Sequence, residues 1–314
     1  MTHESEQLAQ LIRAGDRRAL AHALTHIERG GAFARALRRA LGVVPGGVLI
    51  GITGAPGAGK SSLVTAIAQT LRARNIMVGI IAVDPSSPLT GGSLLGDRIR
   101  MYDLAGDAGV FIRSMANRGQ YGGLAATTAD AALLMRAAGF PVVLLETVGA
   151  GQSDVAVAEV ADTVLLVEAP GMGDEVQSIK AGLLEVADMI VVSKSDRADA
   201  PATLQQLRAL VRMHHEDESQ WQIPVLPVSV RNNQGIDACV DAMLAHGSWL
   251  AAHPQTARRK YQQQLALQRA VGRLVVERMQ TQPVWQHAVT ALQSHASLDE
   301  WAERIVQEFV QSQR

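Results

Sequence analysis

A glycine-rich run at residues 54–61 carries the clearest chemistry in this sequence. It reads GAPGAGKS and fits the pattern G-x-x-x-x-G-K-[ST]. The glycines allow a turn that points backbone N–H groups inward, which creates an anion-binding nest at the start of a helix. Lys60 would reach the β- and γ-phosphates of a nucleoside triphosphate, and the Ser61 hydroxyl would bind Mg²⁺. The alternative is an ordinary glycine-rich turn between a strand and a helix.

The context of this run favours the phosphate-loop interpretation. An apolar strand, Val48–Thr53, precedes it, and a helix with Leu63, Ile67 and Leu71 on one face follows. The predicted nucleotide contacts are consecutive: Gly54, Ala55, Pro56, Gly57, Ala58, Gly59, Lys60, Ser61 and Ser62.

Three carboxylates are candidates for the metal. Asp84 ends a strand in VDPSS, Asp97 lies in GGSLLGDRIRM, and Glu146 ends the apolar run PVVLLE. Mg²⁺ prefers oxygen ligands, and acids at the carboxyl ends of neighbouring strands would lie beside the loop. Each acid could instead cap the following helix, and for Asp97 the two interpretations stay open. With Ser61, these residues form the predicted metal site.

The segment after Glu146 reads TVGAGQ and could sense the γ-phosphate. Gly149 and Gly151 could present backbone N–H groups to it, as a nucleotide switch does. Gln152 is the local candidate for orienting the attacking water, although a structural hydrogen bond explains it equally well.

The run Ser193-Lys194-Ser195-Asp196 follows another apolar strand and resembles N-K-x-D, the guanine-reading pattern. Asp196 would accept hydrogen bonds from guanine N1–H and the 2-amino group, which adenine does not offer in that arrangement. Ser193 replaces the usual Asn, so one customary contact is shortened or lost. Further on, the Ser229-Val230 backbone could supply an N–H group to guanine O6. The sequence therefore favours GTP over ATP.

Apolar runs alternating with helical periodicity predict the fold class. The runs are 48–53, 78–83, 110–113, 142–146, 163–167, 189–193 and 225–230. Their continuous apolarity indicates strands buried on both faces, in a doubly wound, mainly parallel α/β sheet. We divide the chain into an N-terminal helical extension (1–44), a nucleotide-binding domain (45–250) and a C-terminal helical arm (251–314).

Both extensions carry helix signals. Asp16 caps a predicted helix bearing Leu20, Leu24 and Ile27, and Gly30-Gly31 ends it. In the C-terminal arm, Ser297 and Glu300 have capping-box spacing. Beyond them, Trp301, Ile305 and Phe309 share a helix face that packs on the rest of the protein or forms a dimerisation surface.

Composition narrows the functional classes. A formal net charge of -1, without a basic excess, argues against a nucleic-acid-binding protein. The single cysteine, Cys239, excludes an intramolecular disulfide and a cysteine-rich metal site. The N-terminus has no targeting pattern, and no apolar run approaches about 18 residues, so we expect a cytoplasmic protein without a membrane span.

Taken together, six runs resemble the MeaB/ArgK family, called MMAA in human mitochondria: GAPGAGKSS, VDPSSPLTGGSLLGDRIRM, ETVGAGQS, GDEVQSIKAG, LLEVADMIVVSKSD and VSVRNNQGID. The likeness covers about residues 45–245, and the block around Asp97 is the most specific part. The resemblance implies a P-loop NTPase fold of the SIMIBI type. It also implies a homodimeric, Mg²⁺-dependent GTPase that acts as a chaperone of adenosylcobalamin-dependent acyl-CoA mutases.

The resemblance also implies roles for individual residues. Asp84, Asp97 and Glu146 match the family's acids around Mg²⁺ and the switches. Gly173–Lys180 matches a switch segment that responds to the mutase, in which Lys180 approaches the nucleotide; by itself, Lys180 fits a solvated helix lysine. Ser193 for Asn and Val230 for Ala depart from the family pattern.

Two other functions remain open at this stage. A nickel metallochaperone GTPase would need a His-rich tract or Cys/His ligands, but the nine histidines are scattered. A kinase would need an acceptor site with a general base, and no separate acceptor-binding segment is evident.

Overall fold

A parallel sheet forms the centre of the computed structural model, which describes residues 2–84, 104, 106–116, 123–147, 157–171, 186–214, 221–292 and 297–312. The seven described strands follow the order β3-β2-β4-β1-β5-β6-β7, with every neighbouring pair parallel. They are β1 (Val48–Thr53), β2 (Val78–Asp84), β3 (Val110–Ala116), β4 (Val142–Glu146), β5 (Thr163–Glu168), β6 (Met189–Val192) and β7 (Val225–Pro227). The predicted doubly wound α/β fold is confirmed.

Helices cover both faces of this sheet. Successive strand residues point to opposite faces, and because both sets are apolar, each face must be covered. Ile81 packs in a core built with four helices, α1 (Thr2–Arg13), α2 (Arg17–Arg29), α3 (Gly31–Leu41) and α5 (Gly123–Ala137). Its neighbour Ile80 packs in the opposite core, built with α4 (Lys60–Ala73) and α7 (Ile236–Ala252). A smaller core under α6 (Ala200–His214) covers β6 and β7. The strands are therefore buried on both faces, as their apolar runs predict.

Helix α2 begins and ends at the predicted residues. Asp16 accepts hydrogen bonds from the backbone N–H groups of Arg18 and Ala19, at 2.8 and 2.9 Å. A cap of this kind contributes about 1 kcal/mol to helix stability. Gly30 ends α2 with φ 71°, and Gly42 ends α3 with φ 60°.

The strand ends differ slightly from the predicted ones: β3 runs three residues beyond its predicted end, and β7 stops three residues short of its own. The apolar run to Val230 predicts a longer strand, but pairing ends at Pro227, opposite Val192. Beyond it, Ser229 and Gln234 exchange backbone hydrogen bonds of 3.0 and 2.9 Å in a tight loop. Gly235 then enters α7 with φ 76°, where a Cβ would lie 2.1 Å from the Pro227 carbonyl oxygen. The chain therefore turns where the run predicts continued strand.

By internal contacts the chain divides into two compact units, Met1–Lys260 and Tyr261–Arg314. The second unit contains most of α8 (Ala257–Gln280), with α9 (Pro283–Leu292) and α10 (Leu298–Ser312). Its core holds Met279, Val284, Ala288 and Ile305, with Trp301 and Phe309 half-buried against it. The shared face of α10 thus packs inside its own unit, and the Ser297 hydroxyl accepts from the Glu300 N–H at 3.4 Å, as the capping box predicts. No helix in the described ranges has the length and apolarity needed to cross a bilayer.

A buried polar cluster lies at the amino ends of β5 and β6. His246 of α7 shares a 2.8 Å hydrogen bond with the Thr163 hydroxyl, and its Nε2 lies 3.6 Å from Asp188. Asp188 accepts from the Val164 N–H at 2.7 Å and forms an ion pair with Arg258. Burial, reinforced by the positive charge of Arg258, lowers the pKa of His246 to about 4. The imidazole is therefore neutral in the folded protein at pH 7.

This pKa predicts a loss of stability in mild acid. The unfolded chain takes up a proton at His246 below its ordinary pKa of 6.5, whereas the folded protein does not until about pH 4. Stability from this group is thus complete above pH 6.5 and falls as the pH drops towards 4. Between pH 7 and 5 the loss is about 2 kcal/mol, or about 4–8 °C in Tm.

Thermal unfolding of the wild type and of His246→Gln at both pH values measures this loss. Glutamine keeps a hydrogen bond to Thr163 but does not titrate, so the Tm of His246→Gln should fall less than that of the wild type. His253→Gln, at an exposed position of the same helix end, is the matched control and should behave as the wild type. Equal pH sensitivity of His246→Gln and the wild type would contradict the assignment.

Candidate functional site

The glycine-rich loop leaves β1 at the carboxyl edge of the sheet. At Gly54 φ is 139°, and a Cβ there would lie 2.1 Å from the Val167 carbonyl oxygen of β5. Only glycine combines that backbone conformation with so close an approach. Gly59 then starts α4 with φ 93° and no side-chain cap. A helix start without a side-chain cap is a common anion-binding arrangement, as expected of a phosphate loop.

The side chain of Lys60, which is predicted to contact the phosphates, lies inside the loop. Its ammonium group donates to the carbonyl oxygens of Gly54 and Ala55, at 2.8 and 3.0 Å, and the residue is 7% exposed. A buried ammonium group held across the loop provides a fixed positive charge where phosphate oxygens would bind.

Ser61 and Glu146 meet beside the loop. The Ser61 hydroxyl donates to Glu146 Oε1 at 2.5 Å, and both residues are buried. The contact arises because β1 and β4 are neighbours in register, with Ile52 opposite Glu146. A hydroxyl and a carboxylate this close form an oxygen donor pair of the type that Mg²⁺ prefers. These two residues therefore fit the predicted metal.

The other predicted acids are only partly described. Asp84 ends β2, one strand beyond β4, so its backbone reaches the same edge of the sheet. The side chain of Asp84 lies outside the described part of the structure. Asp97, Gly149, Gly151, Gln152 and the Gly173–Lys180 segment also lie outside the described residues. Their roles remain predictions.

The run after β6 is attached directly to the phosphate loop. The buried Ser193 hydroxyl lies 2.6 Å from the Ala58 carbonyl oxygen and 2.9 Å from that of Glu168. Lys194, with φ 50°, donates from Nζ to the Gly57 carbonyl oxygen at 2.8 Å. The structure thus brings the predicted base-reading run and the phosphate loop together.

Asp196 is held by the loop after β7. The Ser229 hydroxyl donates to Asp196 Oδ1 at 2.6 Å, and this bond is the main cause of the lowered pKa of Asp196. Ser229 is fully buried, whereas Asp196 is exposed. The carboxylate is therefore ionised and fixed in direction, with an open side for a ligand. Val230, the next predicted residue, is 37% exposed.

Glu168 is a buried acid that the sequence interpretation missed. It ends β5 at the same edge as Glu146, on the other side of β1. The signal was present, because TVLLVE repeats the pattern of PVVLLE: an apolar strand that ends in an acid. Carboxylates thus end both strands that flank the loop.

A comparison with protein families agrees with this geometry. The model described as methylmalonyl-CoA mutase-associated GTPase MeaB matches residues 20–284. The chain belongs to the MeaB family. MeaB proteins are GTPases, so the GTPase interpretation is confirmed, and with it the binding of GTP and GDP.

Individual relatives extend this assignment. A Mycobacterium tuberculosis protein named a probable GTPase is 40% identical over 265 residues, covering 82% of this chain and 79% of that protein. GTPase ArgK of Escherichia coli is 38% identical over 260 residues, covering 80% and 78%. The mouse mitochondrial protein named methylmalonic aciduria type A homolog is 35% identical over 239 residues, covering 74% and 57%.

A solved structure supports the fold along nearly the whole chain. It is described as a LAO/AO transport system kinase, with a TM-score of 0.64 and 27% identity. The alignment covers 98% of this chain and 97% of the solved one.

Proposed function

We propose that this MeaB-family GTPase uses Mg²⁺ and gates the loading, protection or reactivation of adenosylcobalamin on a B12-dependent acyl-CoA mutase. The observation that carries the proposal is the match of residues 20–284 to a mutase-associated GTPase family. It is supported by a site in which a phosphate loop and a base-reading run are joined by hydrogen bonds.

Different residues would have different roles in GTP binding and hydrolysis. Lys60 and the first N–H groups of α4 hold the phosphates and stabilise charge that develops on them. Asp196, ionised and oriented by Ser229, reads the guanine base. Ser61 and Glu146 would hold Mg²⁺, which neutralises phosphate charge when bound. No covalent intermediate is needed, because hydrolysis relies on positioning and charge stabilisation.

The strand ends support a partner-controlled switch. β2 ends at Asp84, β4 at Glu146 and β5 at Glu168, all at the edge that carries the phosphate loop. The three predicted switch regions, with Asp97, Gly149–Gln152 and Gly173–Lys180, each follow one of these strands in the chain. A partner that reorders any of them acts on segments that begin beside the nucleotide.

A homodimer is part of the proposal. Leu267, Val271 and Leu274 follow one another at helical spacing along α8 and are 65%, 50% and 40% exposed. An apolar stripe of this kind on a helix favours a second copy as its partner. Sedimentation velocity should show a dimer for the wild type and a monomer for Val271→Glu, which places a charge in the stripe. A monomeric wild type would contradict the dimer.

Removing the charge at Glu146 should weaken the binding of Mg²⁺. Glu146→Gln keeps the size of the side chain and an acceptor for Ser61 but loses the negative charge. We expect GTP turnover at fixed Mg²⁺ to fall by about 10–100-fold, and the Mg²⁺ concentration for half-maximal rate to rise. Glu303→Gln, at an exposed position of α10, is the control. An unchanged Mg²⁺ dependence in Glu146→Gln would contradict the metal assignment.

The mutase is expected to accelerate GTP hydrolysis through Lys180. The test measures phosphate release with and without an adenosylcobalamin-dependent acyl-CoA mutase, using methylmalonyl-, isobutyryl-, ethylmalonyl- and 2-hydroxyisobutyryl-CoA mutases in turn. At least one should stimulate the wild type about 10-fold or more, and Lys180→Ala should bring the ratio of stimulated to basal rate towards one.

Lys260→Ala, at an exposed lysine of α8, is the matched control and should keep the stimulation. Absence of stimulation by every mutase would contradict the proposed partner. Full stimulation of Lys180→Ala would contradict the role of Lys180 alone.

A further inference from the structure

Ser193 occupies the position in the base-reading run where guanine-binding proteins of this type usually have Asn. Its side chain does not face the solvent: the residue is 5% exposed, and the hydroxyl lies between two carbonyl oxygens. These belong to Ala58 of the phosphate loop, at 2.6 Å, and Glu168 of β5, at 2.9 Å. The Ser193 N–H also donates to the Glu168 carbonyl, at 2.7 Å.

The hydrogen-bond capacity of serine limits what Ser193 can do. A hydroxyl has one proton to donate, and a carbonyl oxygen can only accept. The two carbonyls therefore already compete for the single proton of Ser193. Guanine N7 is also an acceptor only, so the hydroxyl could donate to it only by releasing both buried carbonyls. An Asn side chain, with two amide protons, does not face this limit.

The neighbouring lysine completes a clamp on the phosphate loop. Lys194 adopts φ 50° and donates to the Gly57 carbonyl oxygen, at 2.8 Å. Two consecutive side chains after β6 thus hold two consecutive carbonyls of the loop. The polar ends of Ser193 and Lys194 are thus occupied by the loop, whereas the carboxylate of Asp196 is exposed to solvent.

We propose that Ser193 is a positioning residue that fixes the phosphate loop, and that the site reads guanine along the edge facing Asp196 without a contact to N7. This inference rests on the proposed role of Asp196 as the base reader. It defines a substrate class: purine nucleotides with the N1–H and 2-amino donors of guanine, whether or not position 7 carries an acceptor.

The test compares GDP with 7-deaza-GDP, in which a C–H group replaces N7. Displacement of a fluorescent GDP analogue gives the Kd of each, with ADP as a third competitor. The wild type should bind GDP and 7-deaza-GDP within about 2-fold of each other, whereas a lost hydrogen bond at N7 would weaken 7-deaza-GDP by about 5-fold or more. ADP should bind at least about 100-fold more weakly than GDP.

Two variants test the clamp. Ser193→Ala should weaken both guanine nucleotides by the same factor, about 5-fold, because the loop loses one fixed carbonyl while the base contacts are unchanged. Ser193→Thr keeps the hydroxyl and should restore wild-type affinity. Affinities are measured well below the Tm of each variant, so that a loss of folding stability alone does not change them.

The outcomes separate the inference from the proposed function. Weaker binding of 7-deaza-GDP to the wild type, or a GDP to 7-deaza-GDP ratio that changes in Ser193→Ala, overturns the absence of an N7 contact. Unchanged affinities in Ser193→Ala overturn the clamp. If ADP competes as well as GDP, the base-reading role of Asp196 fails, and the inference fails with it.

Discussion

The phosphate loop leaves the sheet through a gap that admits only glycine. β1 lies between β4 and β5, and the turn at Gly54 passes so close to β5 that a methyl group would meet the Val167 carbonyl oxygen at 2.1 Å. Because β4 and β5 flank the loop, their last residues, Glu146 and Glu168, lie on either side of it. The Ser61–Glu146 contact follows from this packing, and so does the reach of Ser193 to Ala58.

Parallel strands also give the protein two chemically different edges. At the carboxyl edge, β6 leads into Ser193 and Lys194, which hold the loop. At the amino edge, the same strand begins next to Asp188, which is buried with His246 and paired with Arg258 at the start of α8. β6 is only four residues long and is buried throughout. The predicted base-reading run and the first turn of α8 are therefore attached to opposite ends of one short, buried strand.

Much of this arrangement could be predicted from the sequence, because it depends on local patterns. Continuous apolar runs identify the strands, Asp16 and Gly30 mark the bounds of α2, and the loop motif identifies the phosphate site. Contacts that depend on strand order could not be predicted. The pattern PVVLLE suggests an acid at a strand end, but only the pairing of β1 with β4 brings Glu146 within 2.5 Å of Ser61.

The role of Ser193 is a second feature that the sequence alone could not predict. In the sequence it looks like a weakened base contact, because the motif describes what Asn does with guanine. In the structure its hydroxyl holds the phosphate loop, a role that requires knowing which carbonyls lie beside it. Glu168 was missed although its strand carries the same signal as that of Glu146. Asp97, Gly149, Gln152 and Lys180 lie outside the described residues and stay predictions.

We propose that the carboxyl edge of the sheet binds guanine nucleotides through Asp196, which Ser229 holds in place. Xanthine carries a carbonyl where guanine carries the 2-amino group, so an Asn at position 196 would match XTP and leave GTP with an unpaired donor. The most direct measurement is kcat/KM for GTP and XTP in the wild type and Asp196→Asn, whose amide oxygen can still accept from Ser229. We predict that the wild type prefers GTP by about 100-fold or more and that Asp196→Asn prefers XTP. A variant that keeps the preference for GTP would show that Asp196 does not read the base.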